Sequence, residues 1–75
     1  MIYSYFTFSS TYQAIKAEKV LTGGGWKFKM VPVPRNISSS CGTALRCLPD
    51  DAGVIRDLFL EMQVETNGYY ELGQR

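Results

Sequence analysis

The stretch Lys27-Phe28-Lys29-Met30-Val31-Pro32-Val33-Pro34 decides how this chain of 75 residues folds. It looks like a β-strand that carries two prolines two positions apart. Because side chains and N–H groups alternate along a strand, the missing N–H groups of Pro32 and Pro34 lie on the same side. A proline cannot donate a hydrogen bond to a neighbouring strand, so this pattern favours a strand at the edge of a sheet.

Upstream of this strand, the pattern predicts a strand followed by a helix. Residues 2–8 are rich in aromatic and β-branched types, which is typical of a strand. Ser10 and Gln13 have the spacing of a capping box, in which each side chain bonds the other residue's backbone N–H. A helix is expected over about 11–22, and the glycines at 23–25 end it.

Downstream, a loop over 35–42 leads to a third strand over 43–48. Asp50 is a good N-cap for the helix that follows, and Asp51 favours the positive end of that helix. The helix is expected to run to about Met62, because apolar residues recur there at helical spacing.

The remaining residues predict a turn at Asn67-Gly68 and a short final strand over 69–72. The complete order, β-α-β-β-α-β, is that of the α+β ferredoxin-like sandwich, with an antiparallel sheet and two helices on one face. Right-handed crossovers place strands one and three in the centre and strand two at an edge. We expect one domain over 1–75, whose helix-free face carries Tyr3 and Tyr5 or their neighbours.

Composition limits the classes of function. A formal net charge of +1 gives no general attraction to nucleic acid or to an anionic membrane. No apolar run approaches the ~20 residues that a membrane-spanning helix needs. The N-terminal residues lack the basic segment of a signal peptide. We therefore expect a cytoplasmic protein with reduced cysteines, and neither a nucleic-acid nor a membrane partner.

The loop around Cys41 contains the candidate reactive site. Small polar residues and Gly42 surround this thiol, and the chain has no histidine to act as a base. A thiol reacts as its thiolate, and positive charge or N–H donors lower its pKa. We therefore take Cys41 as the candidate reactive residue, with support for the thiolate expected from Arg35, Ser38, Ser39, Ser40, Gly42 and Arg46. The arginines also have a plainer interpretation as surface charges, and the serines as turn residues.

Cys47 is interpreted as a structural residue because it lies in an apolar strand. If residues 43–46 are extended, Cys41 and Cys47 are nearly ~20 Å apart, whereas a disulfide needs Cα atoms within about 7 Å. Two thiols without histidine do not complete a tetrahedral zinc site within one chain. We expect neither a metal nor a cofactor.

These residues resemble a family of small bacterial and archaeal domains that is named "putative selenium/sulfur carrier" and has no established activity. The resemblance covers about residues 5–72, and its most specific part is the segment from Pro34 to Arg46. The quoted matches are Phe8-Ser9-Ser10-Thr11, Ala14, Ala17-Glu18-Lys19, Val31-Pro32-Val33-Pro34-Arg35 and Ile37-Ser38-Ser39-Ser40-Cys41-Gly42-Thr43-Ala44-Leu45-Arg46. The resemblance implies that Cys41 is the carrier thiol and that a cysteine desulfurase or another small sulfur-transfer protein is a partner.

Three functions remain open at this point. The first is a carrier, rather than an enzyme with turnover, whose Cys41 bears a persulfide or selenopersulfide. The second is a non-catalytic interaction or regulatory module that forms a homodimer through the helix-free sheet face, where tyrosines are expected. The third is a reversible redox sensor, which needs the same thiolate as the carrier.

Overall fold

A computed structural model describes residues 2–35, 37 and 42–73. These residues form four strands and two helices in the predicted order. The elements are β1 (Ile2–Phe8), α1 (Thr11–Gly23), β2 (Phe28–Pro32), β3 (Thr43–Cys47), α2 (Pro49–Glu61) and β4 (Thr66–Gly73).

The strands form one antiparallel sheet in the order β2-β3-β1-β4. This is the ferredoxin-like arrangement, and it confirms the prediction that strands one and three are central and strand two is at an edge. Helix α1 packs against β1 and β3, and α2 packs against β1, so both helices lie over the centre of the sheet.

Pro32 lies on the outer edge of β2, as predicted, whereas the strand ends there and Pro34 lies beyond it. The N–H of Val33 donates to the carbonyl of Gly42 at 3.1 Å, which continues the β2–β3 pairing beyond Pro32 and Thr43. Because hydrogen-bonded pairs alternate in an antiparallel ladder, the backbone groups of Pro32 point away from β3. The missing N–H therefore falls where no strand of this sheet requires a donor.

The apolar core lies between the helices and one face of the sheet. Phe6 and Phe8 of β1 contact Phe59 of α2, with ring centroids at 5.4 and 6.3 Å respectively. Edge-to-face packing of this kind adds roughly 0.5–1.5 kcal/mol per pair beyond area burial. The other buried members of this cluster are Ala14, Ala17, Leu21, Leu45, Cys47, Ala52, Ile55 and Val64.

Only half of the predicted capping box at the start of α1 is present. The Ser10 hydroxyl accepts from the N–H of Gln13 at 3.4 Å, as expected. The Gln13 side chain does not return to Ser10 but accepts from the N–H of Glu65 at 3.1 Å. At the other end, Gly25 adopts a φ of 73° and the N–H of Trp26 bonds the carbonyl of Leu21 at 3.1 Å. This is a Schellman motif, in which the left-handed residue is a glycine as expected.

The predicted N-cap of α2 is wrong. The helix begins at Pro49, Leu48 is the N-cap residue, and Asp50 lies inside the first turn beside Asp51. Proline suits the first helical position because its missing N–H has no partner there. Both carboxylates still lie at the positive end of the helix, so the electrostatic part of the prediction is unaffected.

The predicted turn at Asn67-Gly68 is also wrong, because both residues belong to β4. The pairing with β1 shifts between Thr7 and Phe8, which leaves Asn67 as an extra residue on β4. This is a β-bulge, a feature that turn-forming residue types also accommodate. The chain instead reverses after α2, where Gln63 has a φ of 59°.

The helix-free face of the sheet is partly covered. By register, Tyr5 and Ala44 lie on this face, yet they are 2% and 0% exposed. Tyr3 is half-buried and Tyr70 is 37% exposed. The solvent-accessible tyrosines of this face are therefore the two neighbours of Tyr5, and Tyr5 itself is buried. Among the residues described, no helix is long and apolar enough to cross a membrane.

Candidate functional site

The connection between β2 and β3 is a loop whose two ends are held together. The 3.1 Å bond from the N–H of Val33 to the carbonyl of Gly42 joins the residues at which the loop begins and ends. In the sequence, the candidate thiol comes one residue before Gly42. Of the predicted site residues, Cys41, Ser38, Ser39 and Ser40 lie outside the described residues.

Gly42 ends the loop in a left-handed backbone conformation. Its φ is 73°, and a Cβ added there would meet no atom within 4 Å. The space is open, so the requirement for glycine comes from the backbone angle, which costs other L-residues roughly 1–2 kcal/mol. Gly42 thus fixes the direction in which the chain enters β3 directly after Cys41.

Arg35 lies near the start of the same loop and is exposed. It is the second residue of the turn in which the N–H of Ile37 donates to the carbonyl of Pro34 at 3.0 Å. Its predicted role beside the thiol stays a prediction.

Ile37 is a loop residue to which the sequence analysis gave no role. It is 7% exposed, although it stands in a loop of small polar residues. Burial of this side chain anchors the middle of the loop, since a fully buried isoleucine contributes roughly 1.5–3 kcal/mol. The sequence feature that could have indicated this anchor is a single large apolar residue in a Ser-rich loop.

Arg46 lies at the opposite end of β3 from Gly42. They are four positions apart, which is roughly 13 Å along a strand. Its guanidinium carbon lies 4.4 Å from the centroid of the Tyr3 ring, a cation–π contact. Lys29 is its direct cross-strand partner on the helix-free face. The structure therefore groups Arg46 with Tyr3 and Lys29, while Arg35 and Gly42 share the loop.

A shallow cleft of about 190 Å³ adjoins this group. Its lining residues include Lys27, Lys29 and Arg46, and no carboxylate lines it. Lys29 and Arg46 lie directly opposite each other, so two positive charges stand side by side and make this end of the sheet electropositive. The cleft is a local exception in a chain whose formal net charge is +1.

Cys47 is a buried thiol, which confirms the structural interpretation. It is 3% exposed and belongs to the helix-side core. Burial, with a smaller contribution from the negative charge of Asp51, raises the pKa of Cys47 from 9.0 to about 11. At neutral pH this sulfur is therefore a neutral, shielded thiol with little nucleophilic character.

The hydroxyls of Ser4 and Tyr69 form a second polar feature close to the core. They lie 2.8 Å apart, and the Tyr69 hydroxyl also donates to a Glu71 carboxylate oxygen at 2.9 Å. Burial is the main cause that raises the pKa of Tyr69 above its ordinary value. This chain of bonds satisfies a serine that is 0% exposed, which gives it a structural role.

No group of three or more metal-ligating side chains occurs within the described ranges. An apolar groove of about 560 Å³ runs between the helices and contains none of the predicted site residues. Its walls include Val20, Trp26, Val54 and Met62. Val54 and Met62 are among the apolar residues that recur at helical spacing in the second predicted helix, and they are 55% and 48% exposed.

Comparison with known proteins now identifies the family. Residues 3–71 match the model of the family described as "Putative Se/S carrier protein-like". The chain belongs to this family. The match includes both helices, the β2–β3 loop and all but the last residues of β4. Comparisons with curated proteins and with solved structures give no match.

Proposed function

We propose that this Se/S carrier-like domain is a chalcogen carrier that bears the transferred atom on Cys41. The observation that carries the proposal is the burial of Cys47. The chain has two cysteines, and one of them is a core residue whose pKa is raised to about 11. Cys41 is consequently the thiol left for sulfur chemistry, and it stands inside the segment matched by the family model.

The proposed loading step is a thiol–persulfide exchange. The Cys41 thiolate attacks the terminal sulfur of a cysteine persulfide on a donor protein, such as a cysteine desulfurase. A new S–S bond forms to Cys41 as the donor's S–S bond breaks, and the donor cysteine leaves as a thiolate. The step moves one sulfur atom without net oxidation, so it needs no further oxidant or reductant. Selenium would follow the same path from a selenopersulfide.

Unloading repeats this exchange in the opposite sense. An acceptor nucleophile attacks the terminal atom on Cys41, and Cys41 returns to a thiolate. Such a carrier needs an accessible thiolate and a surface for docking, which a small domain can supply without a cofactor. The described residues of the loop support this role, because Ile37 is buried, Gly42 has a left-handed backbone conformation and Arg35 is exposed.

The proposal predicts a lowered pKa for Cys41. Its alkylation rate as a function of pH should have a midpoint below about 8.5, the value of an unperturbed thiol. Arg35→Ala should raise this midpoint because it removes a positive charge from the same loop. Arg35→Lys is the matched control, since it keeps the charge and should leave the midpoint close to that of the wild type.

Arg46→Ala gives the comparison for the second arginine. If Arg46 acts on the thiolate across the roughly 13 Å from Gly42, its removal will raise the midpoint as well. A midpoint at or above 8.5 in the wild type, together with no persulfide after exposure to a competent donor, would contradict the carrier. That result would favour the non-catalytic interaction module.

A further inference from the structure

The two edges of the sheet differ in how far they permit further strand pairing. At the β2 edge, Pro32 has its missing N–H on the outer side, and Lys29 lies on the same strand. Proline and lysine are the residues with which natural proteins block an edge strand. The β2 edge is therefore closed to another strand.

The backbone groups that β4 directs outward follow from the hydrogen-bond alternation across the sheet. Val33 pairs with Gly42 through a hydrogen bond, so Lys29 and Arg46 are also a hydrogen-bonded pair. The backbone groups of Arg46 therefore point to β2 and away from its β1 partner Tyr5. Tyr5 in turn directs its backbone groups to β4, which makes Tyr5 and Tyr70 a hydrogen-bonded pair. The residues between such pairs point away from β1.

In β4 these outward-directed residues are Tyr69, Glu71 and Gly73. Their N–H and C=O groups form a row on an edge that has no strand beyond it in this sheet. β4 contains no proline, and Glu71 is its single charged residue. The bulge at Asn67 bends the start of the strand and leaves the segment from Gly68 to Gly73 regular.

We propose that β4 pairs antiparallel with the β4 of a second copy of this chain, so that the two four-stranded sheets join into one. A contact between two identical edges has two-fold symmetry and closes after two subunits. The alternative contact, β4 against the β2 of another copy, would propagate into open fibres. The proline in β2 blocks that contact, and β4 remains open to its own copy.

The register follows from the bulge and from Glu71. Pairing Tyr69 with its own copy would force Asn67, the bulge residue, into the ladder. Pairing Glu71 with its own copy would set two carboxylates directly opposite each other, which is destabilising. The register between these two places Tyr70 opposite the second Tyr70, and hydrogen bonds join each Tyr69 to the other Glu71.

The side chains fit this register. Tyr70 is a large, 37% exposed residue on the helix-free face. It occupies a non-hydrogen-bonded position of the new pairing, where opposing Cα atoms approach to about 4.5 Å. Gly68 lies opposite Leu72 of the second copy and carries no side chain, and the Tyr70 ring of its own chain occupies that space, 2.9 Å from where a Cβ would stand. The dimer thus buries the pair of Tyr70 side chains and forms about four interchain hydrogen bonds.

Glu71→Pro tests the contact, and Glu71→Ala controls for loss of the carboxylate that accepts from the Tyr69 hydroxyl. The proline removes an N–H that points away from β1, which reproduces on β4 the feature that Pro32 gives β2. Sedimentation equilibrium at about 100 µM should show a dimer for the wild type and a monomer for Glu71→Pro. Glu71→Ala, which keeps the N–H, should remain a dimer. Circular dichroism should show the same fold for all three proteins.

A disulfide at the two-fold axis tests the register. Tyr70→Cys in a Cys41→Ser background should form an intermolecular disulfide under mild oxidation, because the paired Cα atoms lie within bonding range. Leu72→Cys in the same background is the control. Its two copies would be roughly 13 Å apart along the strands, so it should not crosslink.

Two results would overturn the proposal. One is a wild-type monomer at about 100 µM, which would show that β4 does not pair with a second copy of the chain. The other is a dimer that persists in Glu71→Pro, which would place the contact on another surface such as the helix-free face. Loading of Cys41 with sulfur is measured separately, so neither result bears on the carrier function.

Discussion

At the scale of the residue, the two cysteines differ in their surroundings. Cys47 lies in β3, between β2 and β1, and the residue is 3% exposed. The apolar residues around it in the sequence were sufficient to predict this, because alternation in a central strand turns every second side chain into the core. The electrostatic contribution of Asp51 was not predictable, since it depends on how α2 is placed over β3.

We predict that brief alkylation of the native protein labels Cys41 and spares Cys47. The neutral, buried Cys47 thiol should become reactive only as the pH approaches about 11 or as the protein unfolds. Mass analysis of proteolytic peptides reports each site separately. In denaturant both cysteines should react at similar rates, which provides the control. Equal labelling of the two thiols in the native protein would refute the assignment.

At the scale of the element, the errors of the sequence analysis share one cause. Asp50 and the pair Asn67-Gly68 have residue types that suit several local structures, and the surrounding packing decides among them. Pro49 starts α2 before Asp50 can cap it, and pairing with β1 draws Asn67 and Gly68 into β4. The left-handed Gln63 was equally hidden, because nothing in its type distinguishes it from a helical residue.

We predict that Gln63→Gly stabilises the domain. Gln63 ends α2 with a φ of 59°, and the N–H of Val64 bonds the carbonyl of Phe59 at 2.8 Å, as in a Schellman motif. The left-handed conformation costs a non-glycine residue roughly 1–2 kcal/mol, and the greater freedom of glycine in the unfolded chain offsets about 0.5–1 kcal/mol of that gain. A net increase of about 0.5–1 kcal/mol in the free energy of unfolding is expected.

Urea denaturation monitored through the far-ultraviolet circular dichroism measures this change. Gln63→Ala is the matched control, since it shortens the side chain but keeps a Cβ, and it should give no such gain. The Gln63 carbonyl, which accepts from the Lys16 ammonium at 3.0 Å, is present in every variant. A Gln63→Gly protein no more stable than Gln63→Ala would show that the backbone angle carries no cost.

At the scale of the whole molecule, the topology was predictable because one physical constraint fixed it. A proline in the second strand favours an edge position, which Pro32 of β2 occupies, and right-handed crossovers then leave the ferredoxin-like order. The candidate site was predictable only in part. Sequence placed Arg35, Cys41 and Gly42 on one loop, but Arg46 belongs to a different end of β3, beside Tyr3. The distance between Arg46 and the loop is set by the fold, so no local pattern in the sequence indicates it.

The most direct measurement of the carrier function is the mass of the protein after incubation with a cysteine desulfurase and cysteine. We expect a mass increase of one sulfur atom, located by peptide analysis on Cys41 and removed by a reducing thiol. Cys47→Ala should load like the wild type, and Cys41→Ser should keep the fold and remain unmodified. Loading on Cys47, or an unmodified wild type beside a desulfurase shown to be active on another acceptor, would contradict it.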